Sequence, residues 1–484
     1  MSRDPCFIPA SELSRRIRRG EMSVESVVRA HLNNIHQRNE DVKAYIDIFE
    51  DAALEAAHEA DLAVERGSEL GPLHGVPLAV KDNFPVSGQA YTMGSAALAG
   101  NIASTNSPAV QQLKEAGAIV IGKTNLPEFG SKGITDNDLF GPTATPFNTD
   151  RTAGSSSGGS AVAAAAGMAT LGLGTDGGGS LRIPASACGV FGMKPTFGRA
   201  AFSNRPYGFG NHTPMISPGP QTRTVEGGAM LLEAIQGVHK TDPYSVGDRD
   251  TNLVAASQQS IAELDVGYTV DLDGLFPIDD RVKSVFFEAI ETFKSSPASL
   301  EQASPTFSQN RTEMYECWEV GFQVRIAEAI KEICENKAEP RSEVLPLFDE
   351  INVDTFQRIE KMNVLEYREL NKMRAEIFEA IQSYFENFDL LVLPTLTVPP
   401  FKHGDSTPQP VNGEPMTSTL EWALTWVFNL TGHPVASVPA GFTNGGLPVG
   451  MQIVGPRFSD ERVLAASETF ERIQPWHGSY SPHD

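Results

Sequence analysis

A chain of 484 residues is longer than one hydrophobic core usually grows, so length alone predicts two or more domains, a prior that large α/β enzymes can exceed. Its 40% apolar and 20% charged residues describe a soluble globular protein, and a net charge of −23 argues against a nucleic-acid-binding surface. Cys6, Cys188, Cys317 and Cys334 are scattered and read as reduced thiols of a cytoplasmic protein; Met1 to Cys6 has no apolar stretch of the secretory kind, and the weakly apolar run Ala161 to Gly174 is shorter than the roughly 20 residues that span a bilayer, so no membrane attachment is expected.

In chain order, Ser11 can cap a short helix carrying Leu13 and Ile17, and Ser23 a longer one with Val24, Val27, Val28, Leu32 and Ile35 at helical spacing. Asp51 to Arg66 predicts an alanine-rich helix ending at Gly67. Val76, Leu78 and Val80 alternate as a buried strand that ends in Lys81. Ser107-Pro108 and Gly117 bracket a helix, and Ala118 to Ile121 is the next strand. Ser160 to Ala166 is a further helix, entered directly from a serine-glycine loop. The stretch 239–305 carries few signals, whereas 313–336 and 355–387 each predict one long helix. Leu390 to Pro394 is a buried strand and 399–415 a Pro/Gly-rich surface loop. Helices alternating with short β-branched strands predict an α/β fold, a large mixed β-sheet covered by helices on both faces. With no repeat and no linker composition, one domain over 1–484 is expected, with 239–380 as a helical elaboration.

Chemistry concentrates where the chain reads Gly-Leu-Gly-Thr-Asp-Gly-Gly-Gly-Ser-Leu-Arg from Gly172 to Arg182. Three consecutive glycines suit neither helix nor strand, because each loses more backbone freedom on folding than any other residue. They suit a place where several main-chain N–H groups crowd around one point. Ser180 at the end of the run is then a candidate nucleophile, and Gly177, Gly178 and Gly179 a candidate oxyanion hole. A plain strand-to-helix turn is the competing reading of the run taken alone.

Of three further motif matches, two fail on context and the third stands as the rival mechanism. Gly117 to Thr124 fits the GxxxxGK(S/T) spacing, but its middle residues Ala118 to Ile121 are themselves the strand, where a phosphate loop needs a turn. Gly172 to Gly177 fits GxGxxG, yet no acidic residue stands about 20 positions on, where Lys194 to Arg199 lie. Gly154 to Gly158 fits the GxSxG nucleophile elbow, which would make Ser156 the nucleophile of an α/β-hydrolase-type esterase with His433 as base, but polar turn formers precede it. The ten histidines are dispersed without metal-ligand spacing, so no metal and no cofactor are expected; His74, beside Lys81 in the strand region, reads as structural.

The cluster Gly154-Ser155-Ser156-Ser157-Gly158-Gly159-Ser160, the segment Gly174 to Arg182 and the strand Leu73 to Asn83 together resemble the amidase signature family, serine hydrolases with a Ser–cis-Ser–Lys triad. Ser156 and Ser180 are 24 residues apart, the spacing of that family's two serines. The likeness continues through Gly122 to Phe129, Gly189 to Pro195 and Gly446 to Gln452, with its core over about 70–220. It implies the amidase signature fold, Ser180 as nucleophile, Ser156 as proton relay after a cis peptide bond, Lys81 as base, and Ser157, Thr175, Asp176 and Arg182 as supports of the loop. The sequence departs from the pattern at Ser155 and Gly177, and Ile183 replaces the glutamine usual in the A subunit of the tRNA-dependent glutamine amidotransferase. The resemblance therefore implies a hydrolase of small amides, anilides or carbamates, with the amidotransferase as the alternative. A homodimer is left open. Segments 125–140, 200–215, 310–335 and 420–433, with Trp318, Trp422, Trp426 and Phe428, are expected to line the pocket.

Overall fold

The described residues contain thirteen strands: β1 (Tyr45–Ile48), β2 (Pro77–Lys81), β3 (Ile119–Thr124), β4 (Ala144–Thr145), β5 (Asn148–Thr152), β6 (Leu171–Asp176), β7 (Phe191–Lys194), β8 (Ser217–Thr222), β9 (Asp265–Tyr268), β10 (Ser299–Gln302), β11 (Leu390–Pro394), β12 (Val435–Phe442) and β13 (Pro448–Val454). In this computed structural model, which describes residues 4–203, 215–247, 250–416 and 418–480, eleven of them form one sheet. Its order is β1-β3-β2-β6-β8-β7-β12-β13-β11-β9-β10, and β4 and β5 pair separately. The sheet is mixed and flanked by helices: β3, β2 and β6 run parallel, β8, β7, β12 and β13 follow antiparallel, and β9 is parallel to β11 and β10.

The parallel trio fixes where the chemistry lies. Its parallel strands all end on the same side of the sheet, with Lys81 opposite Thr124 and β6 running on to Asp176. Every residue of β2 and β6 is buried, as expected for parallel strands covered on both faces. Glycines at alternate positions of β6 admit the helix Gly158–Ala165: a Cβ at Gly172 would lie 2.9 Å from the Ser160 carbonyl, and one at Gly174 2.6 Å from Ser157 Oγ. That helix is buried on all sides and carries only small residues and Val162. The serine-glycine loop entering it is thereby pressed against the end of β6.

Local signals account for many boundaries. Ser23 accepts from Ser26 N to cap Val24–Val42, and Ser107 with Pro108 opens Pro108–Glu115. Other expectations need correction. The first helix begins at Ala10 behind Pro9, and Ser11 instead donates its hydroxyl to Glu226. The long helix expected over 355–387 is two, Glu350–Lys361 and Val364–Tyr384, because Asn363 with Glu366 forms a capping box that starts the second. The quiet stretch 239–305 contains helices Leu253–Ser257 and Asp280–Phe293 with strands β9 and β10 between and after them. Within the described residues no helix is long and apolar enough to cross a membrane, and all four cysteines are free.

Candidate active site

Lys81 ends β2 with its side chain inside the protein, 1% exposed. Its Nζ donates to Ser156 Oγ at 2.7 Å, Ser157 Oγ at 3.0 Å and Thr175 Oγ1 at 3.2 Å. Three hydroxyls surround the amine and no carboxylate is paired with it among the described residues. Burial pushes the Lys81 pKa well below its usual value, the Arg325 guanidinium lowers it further, and Asp176 opposes both. A lysine of ordinary pKa near 10.4 is neutral in only about one molecule in 2,500 at pH 7, so this lowering is what would let Lys81 accept a proton.

The serine-glycine loop meets the end of β6 through Ser157, whose N–H donates to the Ser180 carbonyl at 3.1 Å and whose Oγ donates to the Thr175 carbonyl at 3.1 Å. The Ser155–Ser156 peptide bond is cis. Ser156 and Ser180 are buried, Ser180 keeping 6% exposure, and among the described residues Ser180 Oγ has no hydrogen-bond partner. Asn83, just beyond β2, donates to Thr175 Oγ1 at 2.7 Å. Sequence and structure thus assemble Lys81, Ser156, Ser157, Thr175 and Ser180 at one spot, from two segments about 75 and 100 residues beyond the lysine.

The Amidase family model matches residues 26–464. The chain belongs to the amidase signature family. An acylamidase of Rhodococcus erythropolis is 32% identical over 475 residues, covering 97% of this chain and 96% of that protein. The A subunit of a glutamyl-tRNA(Gln) amidotransferase from Carboxydothermus hydrogenoformans is 32% identical over 496 residues, covering 97% and 98%. The solved structure of a bacterial aryl acylamidase superposes with a TM-score of 0.93 at 30% identity, covering 98% of each chain. The protein is accordingly an amidase, a hydrolase of carbon–nitrogen amide bonds.

In this amidase the glycine loop is tied down by an ion pair at its root. Asp176 Oδ1 accepts from Gly179 N at 2.8 Å, and Oδ2 from Leu181 N at 3.2 Å. Arg182 grips the same carboxylate with Nε and Nη2, both at 2.9 Å, and Asn429 adds Nδ2 at 2.9 Å. Burial would raise the Asp176 pKa, but Arg182 and Asn429 outweigh it and hold the carboxyl at about 2. Arg182 is in turn bonded to Gln452 Oε1 at 2.7 Å, Asn429 Oδ1 at 2.7 Å and the Thr425 carbonyl at 2.9 Å. The Gly179 N–H expected in the oxyanion hole is therefore committed to a carboxylate. Gly177, Gly178 and Ser180 are left with N–H groups that have no acceptor among the described residues.

Other expected residues separate from the site. Lys123 of the GxxxxGK(S/T) match is buried in β3, ion-paired to Asp82 at 2.6 Å and bonded to the Phe84 carbonyl at 2.7 Å. His74 bonds the Ala60 carbonyl at 3.1 Å. His433, the base an elbow would need, lies against Phe378 and Phe385 and bonds Thr431 and Gln382; burial and then Lys194 push its pKa down to about 3. Among the described residues no group of three His, Cys, Asp or Glu side chains is placed to hold a metal ion. Trp422, Trp426 and Phe428 are buried, Trp426 against Phe276 and Tyr315. Trp318 alone of the four aromatics bonds the glycine loop, donating Nε1–H to the Gly177 carbonyl at 2.8 Å. Of the expected pocket segments, 204–214 lies outside the described residues. Asn429, Gln452 and Thr425 support the loop, a role the sequence does not assign to them: the coarse pocket expectation for 420–433 covers Asn429 and Thr425, and Gln452 closes the Gly446 to Gln452 stretch of the resemblance.

Proposed function

We propose that this amidase cleaves its substrate through an acyl-enzyme on Ser180. Ser180 Oγ attacks the amide carbonyl carbon, its proton passes to Ser156 Oγ, and the Ser156 proton passes to Lys81 Nζ. The carbonyl oxygen becomes an oxyanion facing the Gly177, Gly178 and Ser180 N–H groups. As the carbon–nitrogen bond breaks, Lys81 returns a proton through Ser156 to the leaving nitrogen; water then attacks the ester carbon, its proton passing through Ser156 to Lys81, and a proton returns by the same path to Ser180 Oγ as the acyl group leaves. The observation carrying this reading is a fully buried lysine amine whose three partners are hydroxyls, with Ser156 the nearest at 2.7 Å. Ser157, Thr175, Asp176 and Arg182 hold the loop in shape around it.

The substrate class proposed is an apolar amide, anilide or carbamate, taken without a partner chain. Ile183, the charge of −23 and the aromatic residues around Trp318 support it. The likeness to the amidotransferase protein supports the alternative, an amidase that works with further subunits on a charged tRNA. A fluorophosphonate should label Ser180, mapped by peptide analysis, and the purified chain should hydrolyse a p-nitroanilide or aryl carbamate. Label on Ser156 would overturn the nucleophile assignment. Inert model substrates, with turnover only beside partner subunits and mischarged tRNA, would establish the amidotransferase reading.

A further inference from the structure

We propose that Trp318 is a positioning residue for the oxyanion hole, its indole N–H setting the direction of the Gly178 N–H from outside the serine-glycine core. The inference rests on the reading of Ser180 as nucleophile and goes beyond it by assigning what orients the hole. A trans peptide unit is planar, so its carbonyl and the following N–H point in opposite directions. Trp318 Nε1 holds the Gly177 carbonyl at 2.8 Å, which turns the Gly178 N–H to the side away from the indole. In the next peptide unit Thr425 Oγ1 holds the Gly178 carbonyl at 2.6 Å, and the opposing N–H, that of Gly179, meets Asp176 Oδ1 at 2.8 Å. Two successive peptides are fixed from the carbonyl side with different outcomes. One N–H is given to a carboxylate, and the other has no acceptor among the described residues.

Glycine is required for this arrangement and also makes the fixing necessary. A Cβ at Gly178 would collide with the Trp318 ring, and one at Gly177 would lie 2.8 Å from the Phe322 ring. A backbone stripped of Cβ atoms has more conformations to lose, and no side chains of its own to select among them. The indole supplies that selection and is itself well held. It is 2% exposed, stacked on Phe322 with ring centroids 5.3 Å apart and packed on Tyr315 at 5.5 Å. Its helix, Arg311–Asn336, starts at an Asn310–Glu313 capping box, and Arg325 two turns on bonds the Phe129 carbonyl at 2.7 Å. Gly130, next in chain, sits against Ser156 Oγ. One face of this helix therefore bonds the glycine loop and, two turns on, the Phe129–Gly130 segment that lies against Ser156.

Trp318→Phe keeps a ring on Phe322 and removes the donor. Loss of a direct oxyanion donor costs about 10²–10³-fold in kcat, and losing a bond that only orients one is expected to cost about 10–100-fold, with KM changed less than about twofold. A trifluoromethyl ketone analogue, whose adduct with Ser180 carries the oxyanion, should weaken by the same factor as kcat. The corresponding alcohol, which forms no adduct, should bind as it does to the wild type. If Trp318→Phe fails to fold, benzothienylalanine at position 318 keeps the indole shape without the N–H and should give the same split. Unchanged kcat, or equal weakening of ketone and alcohol, overturns the proposal and leaves Trp318 as pocket wall. A wild type that neither turns over amides nor binds the ketone would instead overturn the Ser180 reading.

Discussion

Replacing Lys81 with methionine is expected to lower kcat by about 10⁴-fold, the scale on which a member of a serine triad fails when removed. Methionine keeps the length of the buried side chain and abolishes the proton acceptor. Ser156 Oγ then loses its nearest partner, at 2.7 Å, and the proton leaving Ser180 has no base to reach. The wild-type rate should climb with pH along a limb below the usual lysine pKa, because burial and Arg325 push Lys81 down, and this limb should vanish in the variant. Stability carries the same signature. A lysine whose folded pKa is depressed binds fewer protons folded than unfolded between the two values, so the wild type gains stability as pH rises through that window. Lys81→Met lacks this gain, and melting curves taken from neutral pH toward pH 10 should move in favour of the wild type. A variant retaining a tenth of wild-type activity would remove Lys81 from the mechanism.

What made these positions legible is their locality. The strand leading to Lys81, the serines between Gly154 and Ser160 and the glycines before Ser180 each occupy a run of about a dozen residues or fewer whose composition is peculiar on its own terms. Alternating helix and strand signals were likewise enough for the mixed, helix-flanked sheet. The features that stayed hidden depend on distance. Trp318 bonds a carbonyl 141 positions away, and Arg182 reaches Asn429 and Gln452 across 247 and 270 positions. No local periodicity marks such partners. Short elements between 239 and 305 escaped because a four-residue strand such as β9 has too few alternations to stand out. The break before Val364 was visible in principle: Asn363 followed by Glu366 is a capping box, masked by apolar residues that keep helical spacing across it. The commitment of the Gly179 N–H to Asp176 was invisible because a glycine run does not disclose which way each peptide faces.

Asp176→Asn is expected to destabilise the fold by about 3–5 kcal/mol, the cost of leaving one member of a buried ion pair without its partner. Both Asp176 and Arg182 have side chains at 0% exposure, so solvent cannot take over for the lost charge. The substitution is nearly isosteric, which confines the loss to electrostatics and hydrogen bonding. Five donors converge on the carboxylate, from Gly179 N, Leu181 N, Arg182 Nε and Nη2, and Asn429 Nδ2. An amide accepts through one oxygen only, so its NH₂ must face either Leu181 N and Arg182 Nε or the other three donors. The loop before Ser180 is then loosened at its root, and kcat should fall with stability. The pH dependence has a definite sign: with the folded pKa held at about 2, below the ordinary value of 3.8, the contribution is present above that ordinary value and is lost as pH falls through about 2. Urea midpoints at neutral pH would measure the cost. Adding Arg182→Met to Asp176→Asn removes the stranded cation and should recover part of the loss, whereas a double variant weaker by the full sum of the two single losses would show that the pair is not coupled.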